Sequence, residues 1–229
     1  MNICTQFKQL LLQQCLLCLA PSAAHTLCRA CDADLPRLGG PACPVCALPT
    51  GLDAICGACL RRAPHFDSTR AVLAYHFPAS TLLQRYKYTG FLAAGELMGT
   101  LLAERVADAP RPDLIIPMPL HAARLKQRGF NQAVEIARVV ARQRQLPLAL
   151  DACARTRSTP PQADLDLAAR VKNLRGVFAC RDSLAGKRVA LLDDVMTSGA
   201  SLDALAKCVK DAGAISVDCW VVARTLLQD

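Results

Sequence analysis

Three things are scarce or missing in this chain of 229 residues. No apolar run reaches the roughly 18 residues that a membrane-spanning helix needs, so the sequence predicts no span. The glycine-lysine phosphate loop G-x-x-x-x-G-K-[ST] does not occur, which excludes the large class of nucleotide triphosphatases built on it. Aromatic residues make up only 4% of the chain, yet 52% of its residues are apolar, which is enough to bury a core.

Cysteine, by contrast, is abundant. Eight of the thirteen cysteines form four C-x-x-C pairs, and the last two pairs follow the first two at a constant interval of 28 residues. This spacing suits zinc better than disulfides, because two residues between ligands form a tight knuckle around one metal. The repeat indicates two copies of one small metal-binding unit. The predicted ligands are Cys15, Cys18, Cys28, Cys31, Cys43, Cys46, Cys56 and Cys59.

Four thiolates would close the coordination sphere of each zinc ion and leave no position for a reacting water, so the predicted role is structural. Four regularly spaced pairs also argue against redox chemistry, which needs an isolated pair with a tuned thiolate. Consecutive pairs as ligand sets fit the repeat best, although a crossed arrangement stays open. Cys4 has no evident partner.

The first 25 residues superficially resemble a secretory signal peptide, with one lysine, a leucine-rich stretch and small residues near Ala23. Gln13 and Gln14 interrupt the apolar stretch, and cleavage near Ala24 would remove the first cysteine pair and destroy the 28-residue repeat. We therefore expect a cytoplasmic protein with reduced thiols.

The formal charge of +8 and the pI near 9.0 favour acidic partners such as nucleic acid or phosphates. Two zinc ions bound by four thiolates each would contribute about −2 per site. The working charge then falls to about +4, which weakens the argument from basicity.

The pattern of apolar residues predicts an α/β protein with a mainly parallel sheet, preceded by a small cysteine-rich module. Residues 1–14 read as a short amphipathic helix, and the expected domains are 1–62 and 64–229. The predicted strands cover 70–77, 113–117, 147–153, 176–180, 188–194 and 215–223. The predicted helices cover 79–88, 93–108, 130–144, 164–174 and 200–212, with the connection YKYTGF after the first of them.

Residues 191–201, LLDDVMTSGAS, carry the most specific chemistry. An apolar strand ends in two acids, and a turn of small hydroxyl residues leads into a helix. A helix N-terminus favours an anion, and Gly199 permits close backbone approach to it. The two acids could then accept hydrogen bonds from vicinal sugar hydroxyls, with or without a bridging Mg²⁺. The simpler alternative is a helix cap beside solvated aspartates.

The stretch VALLDDVMTSGAS resembles the phosphoribosyl diphosphate (PRPP) signature of type I phosphoribosyltransferases. The resemblance implies that Asp193 and Asp194 contact the ribose hydroxyls. It also implies that a loop holds the 5′-phosphate through Thr197, Ser198, Gly199, Ala200 and Ser201. The segments 116–133 and 155–178 and the four cysteine pairs resemble the ComF/GntX family. That family combines cysteine-rich zinc ribbons with a domain of the type I phosphoribosyltransferase fold.

Further candidate residues flank this signature. Pyrophosphate would lie near His121, Arg124 and Arg128, although cations there could be only a solvated face and His121 could be structural. Gln162, Arg170 and Asn173 are candidates for a mobile loop that closes over the reaction, against an ordinary surface helix. A single-stranded nucleic acid could contact Arg85, Tyr86, Lys87 and Tyr88, although a partly buried helix end produces the same pattern.

Two functions are expected from these features. The first is binding of PRPP with Mg²⁺, with transfer or hydrolysis of the phosphoribosyl group, in the handling of imported DNA. The alternative is a non-enzymatic adaptor whose transferase domain senses a ligand while its ribbons contact single-stranded DNA or other DNA-uptake proteins. A redox or metal-storage protein is disfavoured by the 193–201 loop. Cys153, Cys180, Cys208 and Cys219 are expected in the core.

Overall fold

A computed structural model describes residues 13–22, 27–89, 92–157 and 176–226. The helix expected over 1–14 lies almost wholly outside these ranges, and the helix expected over 164–174 lies entirely outside them. None of the helices in the described ranges has the length and apolarity needed to cross a bilayer.

The cysteine-rich part contains little regular structure. A two-stranded antiparallel pair flanks the first cysteine pair, and two short helices begin directly after Cys28 and Cys56, as expected where metal bonds substitute for a core. The elements are β1 (Gln13–Gln14), β2 (Pro21–Ser22), α1 (Arg29–Ala33) and α2 (Gly57–Arg61).

The rest of the described chain is organised around a four-stranded sheet in the order β3-β8-β7-β4, with every neighbouring pair parallel. The prediction of a mainly parallel α/β sheet is therefore confirmed. The central strand β7 pairs with β8 along its whole length and also with β4 over residues 189–192, and it is almost continuously apolar before its acids. The strands are β3 (Ser68–Ala74), β4 (Leu114–Pro117), β7 (Arg188–Met196) and β8 (Ser216–Arg224).

Helices connect the parallel strands and cover the sheet. In the helix α6 (Gln132–Arg144), Ile136, Ala137 and Val140 are fully buried at helical spacing, which defines the face that packs on the sheet. This helix packs so closely on α4 (Leu92–Arg105) that a Cβ on Gly99 would lie 2.5 Å from Val139 Cβ. The helices are α3 (Ala79–Thr89), α4 (Leu92–Arg105), α5 (Ala122–Arg128), α6 (Gln132–Arg144) and α7 (Ala200–Asp211).

Two local predictions are wrong. The strand expected over 147–153 is a single bridge from Leu148 to Ile115, because Pro147 has no N–H to continue the ladder. Regular pairing resumes only in β5 (Cys153–Arg155), which pairs antiparallel with β6 (Phe178–Cys180) outside the main sheet. The residues YKYT, expected in a connection, belong to α3.

Candidate functional site

The eight paired cysteines form two separate clusters. In each cluster the four sulfur atoms lie within 4.8 Å of one another. The Sγ–Sγ distances are 3.7 Å between Cys18 and Cys28 and 3.6 Å between Cys46 and Cys56. Tetrahedral zinc with bonds of about 2.3 Å requires about 3.8 Å between sulfurs, so a zinc ion fits each cluster. The ligand sets are consecutive, 15/18 with 28/31 and 43/46 with 56/59, which resolves the alternative left open by the spacing.

Each cluster contains one thiol that ionises easily. Burial alone would raise the pKa of Cys15, but amide N–H groups of the knuckle outweigh it and lower the pKa to about 6. The same balance lowers the pKa of Cys43 to about 7, with the amides of Cys56, Cys46 and Val45 donating. One thiolate per cluster is thus available near neutral pH as a first metal ligand.

The acid pair lies where β7 extends beyond its neighbour β4. Leu192 pairs with Pro117, the last residue of β4, whereas Asp193 is paired with β8 on its other side. The amide of Asp194 donates to Asp193 Oδ1 at 2.8 Å. Lys87 Nζ donates to Asp194 Oδ2 at 3.0 Å, and both side chains are mostly buried.

These surroundings change the ionisation of the pair. Burial and then the negative charge of Asp194 raise the pKa of Asp193 to about 7, although the amide of Asp194 and the cations Lys87 and Arg155 oppose the rise. Burial would lower the pKa of Lys87, but the charge of Asp194 outweighs it and the net change is upward. The ammonium therefore stays charged and neutralises one of the two carboxylates.

The turn after β7 has the geometry that a phosphate cradle needs. Gly199 has a φ of +80°, in the left-handed region, and a Cβ there would lie 2.7 Å from Met196 Cε. The Ser198 hydroxyl accepts from the amide of Ala200 at 3.4 Å, and α7 begins at Ala200. Thr197 and Ser198 are exposed. The turn thus presents hydroxyls and the N-terminus of a 12-residue helix.

Cationic side chains approach the acids from α5 and from β5. Arg124 and Arg128 lie one helical turn apart, and Arg128 Nη1 also donates to Gln132 Oε1 at 3.2 Å. Arg155 stands over the ring of Phe178, 5.6 Å from its centroid. Burial and then the positive charge of Arg124 lower the pKa of Arg155, which shows that these two cations are close.

The acids and cations line one cavity, which has a volume of about 170 Å³. Four cations and two acids share its wall, so the cavity suits a ligand that is strongly anionic but also carries hydroxyls. It is lined by Lys87, Met118, Leu120, Arg124, Arg128, Asn131, Gln132, Ala133, Arg155, Asp193, Asp194 and Ser201.

His121 is not among those residues. Its Nδ1 accepts from the amide of Ala123 at 3.2 Å and caps the N-terminus of α5, which gives it a structural role. Phe130 packs on the core with its ring centroid 5.4 Å from that of Tyr86. Gln162, Arg170 and Asn173 lie outside the described residues.

The assignment of 85–88 to nucleic acid needs correction. Tyr86 is fully buried and its hydroxyl donates to the Gln132 carbonyl at 3.3 Å, so it cannot stack on a base. Arg85 donates to the Leu16 carbonyl at 3.0 Å, and Lys87 faces the acid pair. Tyr88 lies in α3, and its side chain is outside the described part. The prediction failed because these residues were interpreted from their alternation of cations and aromatics and not from their positions in the helix predicted over 79–88. In that helix the spacing puts Lys87 on the same face as the buried Leu83.

Three of the remaining cysteines form a thiol cluster of their own. Cys180 Sγ lies 3.1 Å from Cys153 Sγ and 3.4 Å from Cys208 Sγ. Burial and then the neighbouring Cys180 thiol raise the pKa of Cys208 to about 12, so the Cys208 thiol stays protonated at neutral pH. Cys219 is fully buried in β8. Cys153 and Cys219 are core residues as expected, whereas Cys180 and Cys208 are only partly buried.

Comparison with known proteins agrees with this arrangement. A family model described as a double zinc ribbon domain matches residues 7–60, so the two clusters are the ligand sets of structural zinc sites. The chain is 32% identical over 221 residues to the DNA utilization protein of Salmonella typhi, covering 93% of this chain and 97% of that protein. It is 32% identical over 178 residues to competence protein F of Haemophilus influenzae, covering 74% and 78%.

Among solved structures, a glutamine PRPP amidotransferase from Bacillus subtilis gives a TM-score of 0.40 at 19% identity. The match covers 56% of this chain and 25% of that one.

The fold and the clusters define a class of protein, one with a double zinc ribbon in front of an α/β domain built on a parallel sheet. Within that class, the near full-length match at 32% identity places the chain in the ComF/GntX family.

Proposed function

We propose that this chain binds PRPP with Mg²⁺ in the cavity at the end of β7, and that it acts in the cytoplasm in the handling of imported DNA. The observation that carries the proposal is the cavity wall, where two adjacent acids face four cations. A ligand that joins sugar hydroxyls to several phosphate groups satisfies both kinds of side chain at once. We also propose that residues 1–62 and 64–229 are the two domains.

The acids and the turn bind different parts of the sugar phosphate. Asp193 and Asp194 accept hydrogen bonds from the ribose hydroxyls. The 5′-phosphate lies at the N-terminus of α7, where the hydroxyls of Thr197, Ser198 and Ser201 and unpaired amides donate to it. A side chain at residue 199 would strain the left-handed backbone and collide with Met196.

The pyrophosphate group belongs on the cationic side of the cavity. Arg124, Arg128 and Arg155 provide planar guanidinium groups that suit phosphate oxygens. Adjacent carboxylates are the hard oxygen ligands that Mg²⁺ prefers, so Asp193 and Asp194 also fit the metal. When bound, Mg²⁺ supplies charge neutralisation to the diphosphate.

In a transfer reaction, the bond from ribose C1 to the pyrophosphate oxygen breaks, and that oxygen keeps the electron pair. The lone pair of an acceptor then forms the new bond at C1. The arginines favour this step because they stabilise the departing diphosphate more strongly as its charge grows. The carboxylates favour it by lying near the positive charge that develops on the sugar ring.

The biological role is inferred from the relatives. One is named a DNA utilization protein and another competence protein F, and both match most of this chain. Their names support a role in the uptake or use of DNA, with single-stranded DNA and other DNA-uptake proteins as partners.

A second candidate is the non-enzymatic adaptor, in which the cavity senses PRPP. One observation favours it. No aromatic side chain lines the cavity within the described ranges, so nothing described there would stack on a nucleobase acceptor.

Calorimetric titration with PRPP and Mg²⁺ tests the proposal. We expect Asp193→Asn/Asp194→Asn to weaken binding at least about 100-fold, because each lost charged hydrogen bond costs about 1.5–3 kcal/mol. The control is Asp151→Asn/Asp182→Asn, which removes the same charge from two exposed positions and should bind like wild type.

Absence of binding to wild type overturns the proposal, and equal binding by the two double variants overturns the site. Pyrophosphate release with a nucleobase or single-stranded DNA present supports the enzyme. Binding without release with any acceptor favours the adaptor.

A further inference from the structure

We propose that Arg224 couples the second zinc cluster to the turn after β7, so that zinc in this ribbon orders the turn while zinc in the first ribbon does not. The turn is the one assigned above to the 5′-phosphate, and the functional meaning of the coupling rests on that assignment. The coupling itself does not require a ligand.

Arg224 is the last residue of β8 and is only 4% exposed. Its Nε donates to the carbonyl of Cys46, a zinc ligand, at 2.9 Å. Its Nη1 donates to the Met196 carbonyl at 3.0 Å and also contacts the Thr197 carbonyl. One guanidinium group therefore joins a metal knuckle to the start of the turn.

A buried guanidinium group that loses a hydrogen-bond acceptor cannot replace it with water. Its charge is tolerated only while carbonyl oxygens surround it, and loss of one acceptor leaves a buried donor unsatisfied. The zinc cluster contributes a second attraction, because four thiolates around one zinc ion carry a net charge of about −2 beside the cation. Both contributions disappear when the metal leaves.

The knuckle itself depends on zinc. Its own apolar cluster contains only Cys43, Cys46 and Cys59 as buried members, so apolar packing within the knuckle contributes little to its shape. Strand β3 connects the knuckle to the sheet. The Thr69 hydroxyl donates to the Val45 carbonyl at 2.6 Å, and the Thr69 amide donates to the Pro44 carbonyl at 3.1 Å.

Two backbone amides donate hydrogen bonds to carbonyls of the turn, and one of them shares the Met196 carbonyl with Arg224. The amide of Thr225 donates to the Met196 carbonyl at 3.0 Å, and the amide of Asp203 donates to the Gly199 carbonyl at 2.8 Å. Exchange of these two amides with solvent therefore reports on the order of the turn. Within the described ranges, no hydrogen bond joins the cysteines of the first cluster to residues 196–201.

The experiment measures hydrogen exchange by NMR in the full chain without ligand. We compare Cys59→Ser, which removes a ligand of the second cluster, with Cys31→Ser, the equivalent change in the first. We expect exchange of the Thr225 and Asp203 amides to accelerate at least about tenfold in Cys59→Ser, a loss of about 1.4 kcal/mol of protection. In Cys31→Ser it should stay within about twofold of wild type. Equal acceleration in both variants, or in neither, overturns the proposal.

A second pair of variants distinguishes a local loss of order in the turn from general unfolding. Arg224→Met should accelerate the same amides while the zinc content stays at two per chain and the amides of Ala190 and Leu191 in β7 remain protected. Arg105→Met, which removes an arginine hydrogen bond to a carbonyl, that of Ala71, outside both clusters and the turn, should change neither. Unchanged turn exchange in Arg224→Met overturns the coupling, whether or not PRPP binds.

Discussion

Removal of the two zinc ions is expected to unfold the cysteine-rich segment. Structural zinc contributes about 10 kcal/mol or more per site in small modules, because no preformed site exists without the metal. The two clusters hold residues that otherwise have little regular structure. Native mass spectrometry of protein purified under reducing conditions should therefore find two zinc ions per chain. A chelator that removes them should abolish the protection of residues 27–62.

Single substitutions make this prediction specific. Cys59→Ser should reduce the zinc content from two to one, whereas Cys208→Ser should leave two, because Cys208 lies outside both clusters. Zinc-free protein from a reducing purification, or equal zinc loss in the two variants, would contradict the assignment of the ligands.

Replacement of Lys87 by methionine should destabilise the fold by about 3 kcal/mol at pH 8.5. Removing one partner of a largely buried ion pair leaves an uncompensated charge, which typically costs about 3–5 kcal/mol. The ammonium lies 3.0 Å from Asp194, and only 22% and 12% of the two side chains are exposed. Urea unfolding measures the difference. The control is Lys210→Met, whose partner Asp67 is much more exposed, and about 1 kcal/mol or less is expected there.

The cost of Lys87→Met should depend on pH. Because the pKa of Asp193 is raised to about 7 in the folded protein, the fold binds a proton there more tightly than the unfolded chain. The stability from this proton is complete below the unfolded pKa, near pH 4, and is lost as pH rises to about 7. Without Lys87 the pKa rises further, so the variant should recover stability between pH 8.5 and pH 6. An equal cost at both pH values would contradict this account.

The sequence predicted the features that depend on spacing along the chain. The zinc ligands follow from a repeat of 28 residues, and the acid pair follows from an apolar strand that ends in a turn of small residues. Both patterns are local, because a knuckle and a strand-turn-helix unit each bring their own residues together. The parallel sheet followed from the alternation of strands and helices in the same way.

Contacts between distant elements could not be predicted in this manner. Lys87 reaches the acids only because α3 packs its inward face towards the end of β7, and the spacing within a helix does not record which strand end that face meets. Arg224 reads in the sequence as the polar end of an apolar strand. Its burial depends on the second ribbon folding over the sheet 178 residues away in the chain, which no local pattern records.

The position of β3 in the sheet has a consequence for synthesis on the ribosome. Among the described strands β3 pairs only with β8, and the paired residues Ser68 and Asp218 are separated by 150 positions. At about 5–20 residues per second, roughly 8–30 s pass between the emergence of the two strands. The zinc ribbons can fold during that delay, and residues 36–38 can pair with one edge of β3, but its other edge stays unpaired until β8 emerges. Nascent chains halted before β8 should therefore bind chaperones and aggregate more than chains that include β8.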